Sequence, residues 1–341
     1  PLGSGAYRIK NFKAGRSISY ERVKNYWAAD LPVNKGQSNF DEISYEYYRD
    51  RDVATEAFKS GAFDLRAENQ SKRWATAYDF PALKEGKVKK ILIPHERPTG
   101  MQGFVFNTRK NFFSDPKVRL AINYAWDFEW TNKTLMYNAY KRTNSYFSNS
   151  ELSSSGRLPD GEELKILQKF KGQVPKQVFD EVYKAPQTDG SGNNRKNLRL
   201  ALKLLREAGW AVKDGKLVNR NGIPLKFELL IAYPSIERLA LPLKQSLKRL
   251  GIEMSIRTVD VAQYQQRVDT FDFDMIVSSF GQSLSPGNEQ RDFWHSTNAN
   301  RPGSRNLIGI QEPVIDKLVE LVIESPDRES LISRTRALDR V

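Results

Sequence analysis

The sequence predicts an α/β fold with mixed, largely parallel sheets. Between residues 225 and 277, strand-like apolar runs alternate with amphipathic helical stripes in the order β-α-β-α-β. That order favours parallel strands joined by right-handed crossovers. The region before residue 50 instead contains short strand-like runs, two of them on either side of an Ala14-Gly15 turn. At 341 residues the chain is long enough for two domains.

The first hundred or so residues are predicted to form short strands and one short helix. The helix is expected to be capped by Asp52 and to end at Gly61, because an aspartate before a helical stripe and a glycine after it are typical boundaries. The strands are predicted over residues 7–13, 17–20, 43–47, 63–65 and 88–93.

The remainder of the chain carries the stronger periodic signals. A strand over 104–106 is entered through Gly100 and Gly103, and Asp115-Pro116 opens an amphipathic helix. Residues 146–192 are rich in Ser, Gly and Pro and are predicted to be irregular. The next elements are predicted as a helix over 198–208, turns at Asp214-Gly215 and Asn221-Gly222, strands over 225–231, 252–256 and 273–277, and helices over 236–250 and 261–268.

Composition excludes several classes of site. Cysteine is absent and there are only two histidines, so disulfides, thiol catalysis and multi-histidine metal centres are excluded. No apolar run is long enough to span a membrane. The net charge of +13 raises nucleic acid as a partner, but acidic residues are interleaved with basic ones, which favours a solvated basic surface. No common catalytic or phosphate-loop motif is found, so we predict neither an enzyme nor a cofactor or metal site.

The stretch 271–283 is the candidate ligand site. Its strand gives way to small and polar residues, and in open α/β sheets ligands bind beyond the carboxyl ends of the strands. The alternative is an ordinary core strand that runs into a loop. The Asp272/Asp274 pair lacks an acid–base partner and is interpreted as structural.

Several segments together resemble the large periplasmic solute-binding proteins of peptide-type ABC importers (solute-binding family 5, cluster C). Met101-Gln-Gly103 and Ser285-Pro-Gly-Asn-Glu289 are most similar to the YejA-like branch, which is associated with oligopeptides and peptide–nucleotide antibiotics of the microcin C kind. The other segments that carry the resemblance are 1–7, 52–64, 106–108, 115–127, 208–222, 273–274 and 303–316.

The resemblance implies a periplasmic-binding-protein-like fold of two lobes that close on a ligand. It assigns residues 1–98 to part of lobe I, 99–325 to lobe III and 326–341 to a helix that returns to lobe I. It also implies that a lobe-sized region before Pro1 and a short segment after Val341 belong to the whole protein. Pro1 and Leu2 are then native residues rather than a vector scar, and the chain is incomplete.

The resemblance also implies site residues. The backbone that follows the Phe273-Asp274 strand would pair with a peptide ligand, in the manner of strand addition. Many relatives have an acidic residue where Ser283 stands, to hold a free amino terminus, so Ser283 indicates modified or longer ligands. The expected ligand-binding residues are Ser278, Ser279, Phe280, Gly281, Gln282 and Ser283, then Met101, Gln102 and Gly103, and a side-chain pocket formed by Trp74, Asn69 and Glu68. A structural role is the alternative for Trp74 and for Gly103.

The predicted function is capture of oligopeptides in the periplasm and their delivery to the permease of an ABC importer. The protein is expected to be a monomer, to meet the membrane only through the permease and to bind no nucleic acid. The alternatives are the same fold binding an opine, a sugar or a vitamin, and a nucleic-acid-binding protein argued from charge alone.

Overall fold

The computed structural model describes residues 3–341 and divides into two compact units, one up to Leu92 and one over Ile93–Val341. Pro1 and Leu2, expected to be native, lie outside the described residues. The lobe boundaries expected at residues 98 and 325 stay predictions.

The first unit is built on an antiparallel sheet of three strands in chain order. The helix that follows the sheet is capped by Asp50, whose carboxylate accepts from the backbone N–H groups of Asp52 and Val53 at 2.7 and 2.9 Å. The prediction of Asp52 as the cap is therefore wrong. The elements are β1 (Tyr7–Lys13), β2 (Ser17–Arg22), β3 (Glu42–Glu46), α1 (Arg51–Lys59), α2 (Ser71–Thr76) and α3 (Pro81–Lys84).

Two strands predicted in this unit do not form. Residues 63–65 and 88–93 are extended or bent but pair with no strand among residues 3–341. Leu65 and Leu92 are 89% and 84% exposed. A strand is stabilised by its neighbour's hydrogen bonds and side chains, so β-type residues without a partner remain unpaired.

The second unit contains a four-stranded sheet, a small hairpin and eleven of the helices. The strands are β4 (Met101–Phe106), β5 (Ala211–Lys213), β6 (Lys216–Val218), β7 (Lys226–Ile231), β8 (Glu253–Thr258) and β9 (Met275–Phe280). The helices are α4 (Asn111–Ser114), α5 (Pro116–Ala125), α6 (Phe128–Leu135), α7 (Gly161–Gln168), α8 (Gln177–Asp180), α9 (Arg195–Glu207), α10 (Pro234–Arg249), α11 (Val261–Asp269), α12 (Glu289–Trp294), α13 (Pro313–Ile323) and α14 (Arg328–Arg340).

The large sheet has the order β4-β9-β7-β8. β7 pairs in parallel with β8 and β9, whereas β4 is antiparallel to β9, so the predicted mixed, largely parallel sheet is confirmed. Alternate residues point to opposite faces of a strand. Leu229 accordingly lies in a core layer with α5, α9 and α10, and Leu230 lies in a second layer with α7, α13 and α14.

The second unit differs from the predicted elements at two places. The segment 146–192 is not wholly irregular, because α7 and α8 form in it and α7 buries Ile166 and Leu167 in the second core layer. Strand β9 runs to Phe280 rather than ending at residue 277. Helix α14 packs on α13 and α7 within this unit, and its assignment to lobe I stays a prediction.

Candidate functional site

The C-terminal half of β9 has a neighbouring strand on one side only. β4 pairs along the whole of β9, from Met101 opposite Phe280 to Phe106 opposite Met275. On the other side β7 pairs with Met275 and Ile276 alone. Among residues 3–341, β9 from Val277 to Phe280 therefore presents an edge without a partner strand, at the carboxyl end of the parallel strands.

This open edge is bordered by two tyrosines that follow β7 and β8 in the chain. The Tyr264 hydroxyl donates a long, weak hydrogen bond of 3.4 Å to the carbonyl oxygen of Val277. Burial raises the pKa of Tyr264, and Tyr233 contributes to the same shift. Tyr233 is exposed and precedes α10 directly. Aromatic side chains thus lie beside the edge, and one of them contacts the Val277 carbonyl oxygen.

Small residues keep both faces of this strand end uncrowded. Ser278 lies opposite Gly103, and Ser279 opposite Gln102. A Cβ atom added at Gly103 would meet nothing within 4 Å, so the space beside Ser278 is open on that face. Ser279 and Gln102 are exposed on the other face. The predicted neighbours on β4 and β9 are therefore brought together, as cross-strand pairs.

Phe280 anchors the strand end in the core rather than presenting its ring to a ligand. Its ring stacks on Trp294 at 5.2 Å and meets Tyr146 edge-to-face at 5.5 Å between centroids. Burial raises the pKa of Tyr146 to about 12. Gly100, which precedes the strand partner of Phe280, has φ +67°, and a Cβ there would collide with the Phe280 carbonyl oxygen. Only the backbone of Phe280 is available to a ligand.

Gln282 carries a buried amide group that the described residues do not fully satisfy. Its Oε1 accepts from Nε2 of Gln290 at 2.8 Å. Gln290 must present its Nε2 because its own Oε1 accepts at 2.9 Å from the indole N–H of Trp294, which can only donate. The Nε2 group of Gln282 is then left buried without a hydrogen-bond partner among residues 3–341. A buried unpaired donor is costly unless a ligand or water accepts from it.

The remaining predicted residues are two exposed residues of the loop after β9 and one residue of β4. Gly281 and Ser283 are exposed, and the Ser283 hydroxyl accepts from the backbone N–H of Ser285 at 3.1 Å. Met101 is half-buried opposite Phe280. No carboxylate occupies the Ser283 position, so a ligand ammonium finds no counter-charge from this residue.

The three residues of the first unit that were predicted to form a side-chain pocket for the ligand differ in their exposure and in their contacts. The Glu68 carboxylate is 3% exposed and accepts from the Tyr78 hydroxyl and the Gln70 N–H, both at 3.0 Å. It is therefore engaged within its own unit. Asn69 is exposed. Trp74 is half-buried, with the Lys90 ammonium 4.4 Å from its ring centroid.

The carboxylates beside β9 have structural partners. Asp274 accepts from the backbone N–H of Glu228 at 2.9 Å and lies 3.4 Å from the Lys110 ammonium. Asp272 binds Arg267 at 2.9 Å. Within residues 3–341 no cluster of three or more acidic or histidine side chains is suited to a metal ion. Both aspartates are therefore engaged in contacts that hold the strand and its neighbours together.

Sequence reasoning missed the residues that support the site. Gln290 and Trp294 are one helical turn apart on α12 and fully or nearly buried, and their i, i+4 spacing was a usable signal. Tyr146 and Tyr264 had no such signal, because their contacts with β9 cross long stretches of chain.

Solved structures share this fold. The chain superposes on the oligopeptide-binding protein AppA of Bacillus subtilis, solved with a nonapeptide, with a TM-score of 0.69 at 22% identity, covering 100% of this chain and 58% of that chain. The chain therefore has the α/β fold of periplasmic binding proteins, and the predicted fold class is confirmed. No helix among the described residues has the length and apolar character needed to cross a membrane.

The family follows from the sequence comparisons. The profile of the bacterial extracellular solute-binding proteins, family 5, middle region, matches residues 1–301. The chain belongs to this family, and the YejA-like resemblance is confirmed. It is 48% identical over 343 residues to the probable peptide-binding protein YejA of Agrobacterium fabrum and 41% identical over 347 residues to the peptidoglycan-binding protein YepA of the same organism.

In each of these two comparisons the match covers 100% of this chain and 56% of the relative. The chain thus spans about half the length of the curated relatives it matches.

Proposed function

We propose that this chain forms the ligand-binding part of a periplasmic solute-binding protein that captures oligopeptides and delivers them to the permease of an ABC importer. The open edge of β9 from Val277 to Phe280 is the observation that carries the proposal. An extended peptide presents N–H and C=O groups at strand spacing, which a sugar or an opine does not. The protein then acts without catalysis.

The unpaired amide donor of Gln282 adds a second point of recognition. A ligand carbonyl or carboxylate oxygen at the end of the added strand would accept from Nε2, which has no other partner among the described residues. Because Ser283 supplies no negative charge, the ligand's amino terminus is not held by an ion pair at this position. Peptides with an acetylated amino terminus should therefore bind as well as free ones.

The names of two relatives support a peptide ligand, and one of them suggests peptidoglycan as a source of the peptides. YejA of A. fabrum is named a probable peptide-binding protein, and YepA a peptidoglycan-binding protein. Peptides released from peptidoglycan are accordingly the second candidate ligand. Peptide–nucleotide antibiotics of the microcin C kind stay a prediction of the sequence resemblance.

Native mass spectrometry tests the ligand class directly. Protein purified without refolding, or incubated with a digest of mixed peptides, should carry peptide masses that are released together on unfolding. A single non-peptide mass would keep the fold and overturn the ligand class. Protein that carries no peptide under either condition would refute the proposal for this chain.

A backbone-methylation scan of one recovered peptide tests the mode of binding. In strand addition only alternate amides of the ligand face β9, so N-methylation should weaken binding at every second position. Each lost backbone hydrogen bond should reduce affinity by roughly tenfold, measured by calorimetry. Equal losses at consecutive positions, or none, would contradict strand addition while leaving peptide binding intact.

A matched pair of glutamine substitutions tests the amide donor. Gln282→Met removes the Nε2 group with little change of volume and should weaken peptide binding by roughly tenfold. Gln168→Met makes the same change at an exposed position on α7 and should have no effect. Unchanged affinity of the Gln282→Met variant would remove this residue from the site.

A further inference from the structure

The outward face of α9 is almost entirely cationic. Leu198, Ala201 and Leu205 bury the inner face of this 13-residue helix in the first core layer. At about 100° per residue, all five basic residues of the helix fall within an arc of roughly 100° on the opposite side, along roughly 16 Å of the helix axis. They are exposed, and they are Arg195, Lys196, Arg199, Lys203 and Arg206.

These five cations have no carboxylate partner, whereas several other basic residues of the same unit do. Arg328 pairs with Glu151, for example. The one acidic residue of α9, Glu207, pairs at 3.4 Å with Lys117 of α5 instead. Among residues 3–341, none of the five cations lies within ion-pair distance of a carboxylate. Five of the 54 basic residues of the chain thus lie together on one helix face without an ion-pair partner.

The chemistry of this face favours phosphate groups at an apolar boundary. Arg199, Lys203 and Arg206 border a shallow groove of about 460 Å³ that is also lined by Leu202 and by Glu207, whose carboxylate pairs with Lys117. Guanidinium and ammonium groups bind phosphate well, and their long alkyl stems can lie along an apolar surface while the charged ends reach outward. The helix carries no aromatic side chain on which a nucleic-acid base could stack.

We propose that the cationic face of α9 is a docking surface for a membrane rich in anionic phospholipids, which replaces the expectation that the protein meets the membrane only through the permease. The choice of a membrane over a soluble polyanion rests on the proposed function, which places the protein beside a permease. Docking would hold the protein at the membrane surface without occupying the open edge of β9.

Vesicle co-sedimentation tests this proposal. The wild-type chain should bind vesicles of phosphatidylethanolamine with phosphatidylglycerol as roughly a third of the lipid, and should not bind vesicles of phosphatidylcholine. Binding should fall steeply as ionic strength rises from about 0.05 M to about 0.5 M. The triple variant Arg199→Gln, Lys203→Gln, Arg206→Gln should bind the anionic vesicles roughly 100-fold more weakly, since each basic residue near such a surface contributes about fivefold.

A second triple variant separates the helix face from net charge. Lys165→Gln, Lys169→Gln, Lys176→Gln removes the same charge from the other side of the large sheet, where Lys165 and Lys176 already pair with Glu162 and Asp180. It should bind like the wild type. The charge-preserving variant Arg199→Lys, Arg206→Lys should also bind, which guards against loss through misfolding.

Three outcomes would overturn the proposal. These are absence of binding to anionic vesicles, equal loss in the two triple variants, and α9-dependent binding to random duplex DNA that is stronger than binding to vesicles. Peptide binding measured on the same variants should be unchanged. A failure of docking with intact peptide binding would refute this inference alone, and a failure of both would count against the proposed function as well.

Discussion

Replacing Gly100 with alanine should destabilise the second unit at the point where β4 meets the end of β9. Gly100 has φ +67°, and a side chain there would collide with the carbonyl oxygen of Phe280. A left-handed conformation costs an alanine about 1–2 kcal/mol. Moving two paired strands apart to relieve the collision adds about 1–3 kcal/mol, as in other overpacked sites. We expect a loss of about 3 kcal/mol in the free energy of unfolding.

Gly103→Ala is the matched control for Gly100→Ala. It makes the same change on the same strand, but its new methyl group would meet nothing within 4 Å. Its free energy of unfolding should stay within about 0.5 kcal/mol of the wild type. Urea unfolding, followed by hydrogen exchange of peptides from β4 and β9, measures both variants in the second unit alone. Equal stability of the two variants would refute the steric argument.

Three further substitutions test the packing around the site and the core that supports it. Arg340→Met removes one of the two arginines that pair with the buried carboxylate of Glu163, the other being Arg157. Because the Arg340 and Glu163 side chains are 6% and 2% exposed, the free energy of unfolding measured in urea should fall by about 3 kcal/mol. Burial raises the pKa of Tyr146 from 10.0 to about 12, so between these pH values the unfolded state loses a proton that the native state keeps. The wild type is therefore destabilised as the pH rises from 10 to 12. Tyr146→Phe removes this proton, so the stability of the variant should depend less on pH in that range. Asp115→Ala removes the N-cap of α5, which accepts from the Lys117 N–H at 2.8 Å, and should lower the thermal midpoint by the equivalent of about 1 kcal/mol.

The α/β core of the second unit was predictable because its signals are local. The strands and helices from β7 to β9 are each marked by their own periodicity, and most of their ends are marked by glycine or proline, whereas Asp260 caps α11. Asp115-Pro116 opens α5 as expected, and Asp214-Gly215 forms the turn between β5 and β6 with both residues at positive φ. Each of these features depends on side chains a few residues apart.

The first unit was less predictable because its apolar segments depend on distant partners. Residues 63–65 and 88–93 have strand-like composition, but composition does not supply a neighbouring strand. The cap of α1 shows a subtler limit. Asp50 and Asp52 are both suitable residues, and the backbone decides between them, since Asp50 has the extended conformation of a cap.

The strand content of the site shows why a local pattern can locate a site and still misplace its boundary. The small residues Ser278 and Ser279 suggested that β9 had ended, whereas pairing with β4 continues to Phe280. The strand continues because the Phe280 ring is held by Tyr146 and Trp294, neither of which neighbours it in sequence. Where the edge becomes open is set by β7, which pairs no further than Ile276.

The orientation of the Gln282 amide is the part of the site that sequence could not provide. It follows from a chain of hydrogen bonds in which the indole of Trp294 can only donate, so that Gln290 must accept from it and donate onward to Gln282. Residue type alone leaves a glutamine free to offer either its oxygen or its nitrogen. The fold removes that freedom through a tryptophan two contacts away, and it leaves the Nε2 donor of Gln282 buried without a partner among residues 3–341. Replacing Trp294 with phenylalanine would remove the indole donor and allow the Gln290 amide to rotate. The Gln282 amide could then rotate as well, and it would no longer have to offer its Nε2 group to a ligand oxygen.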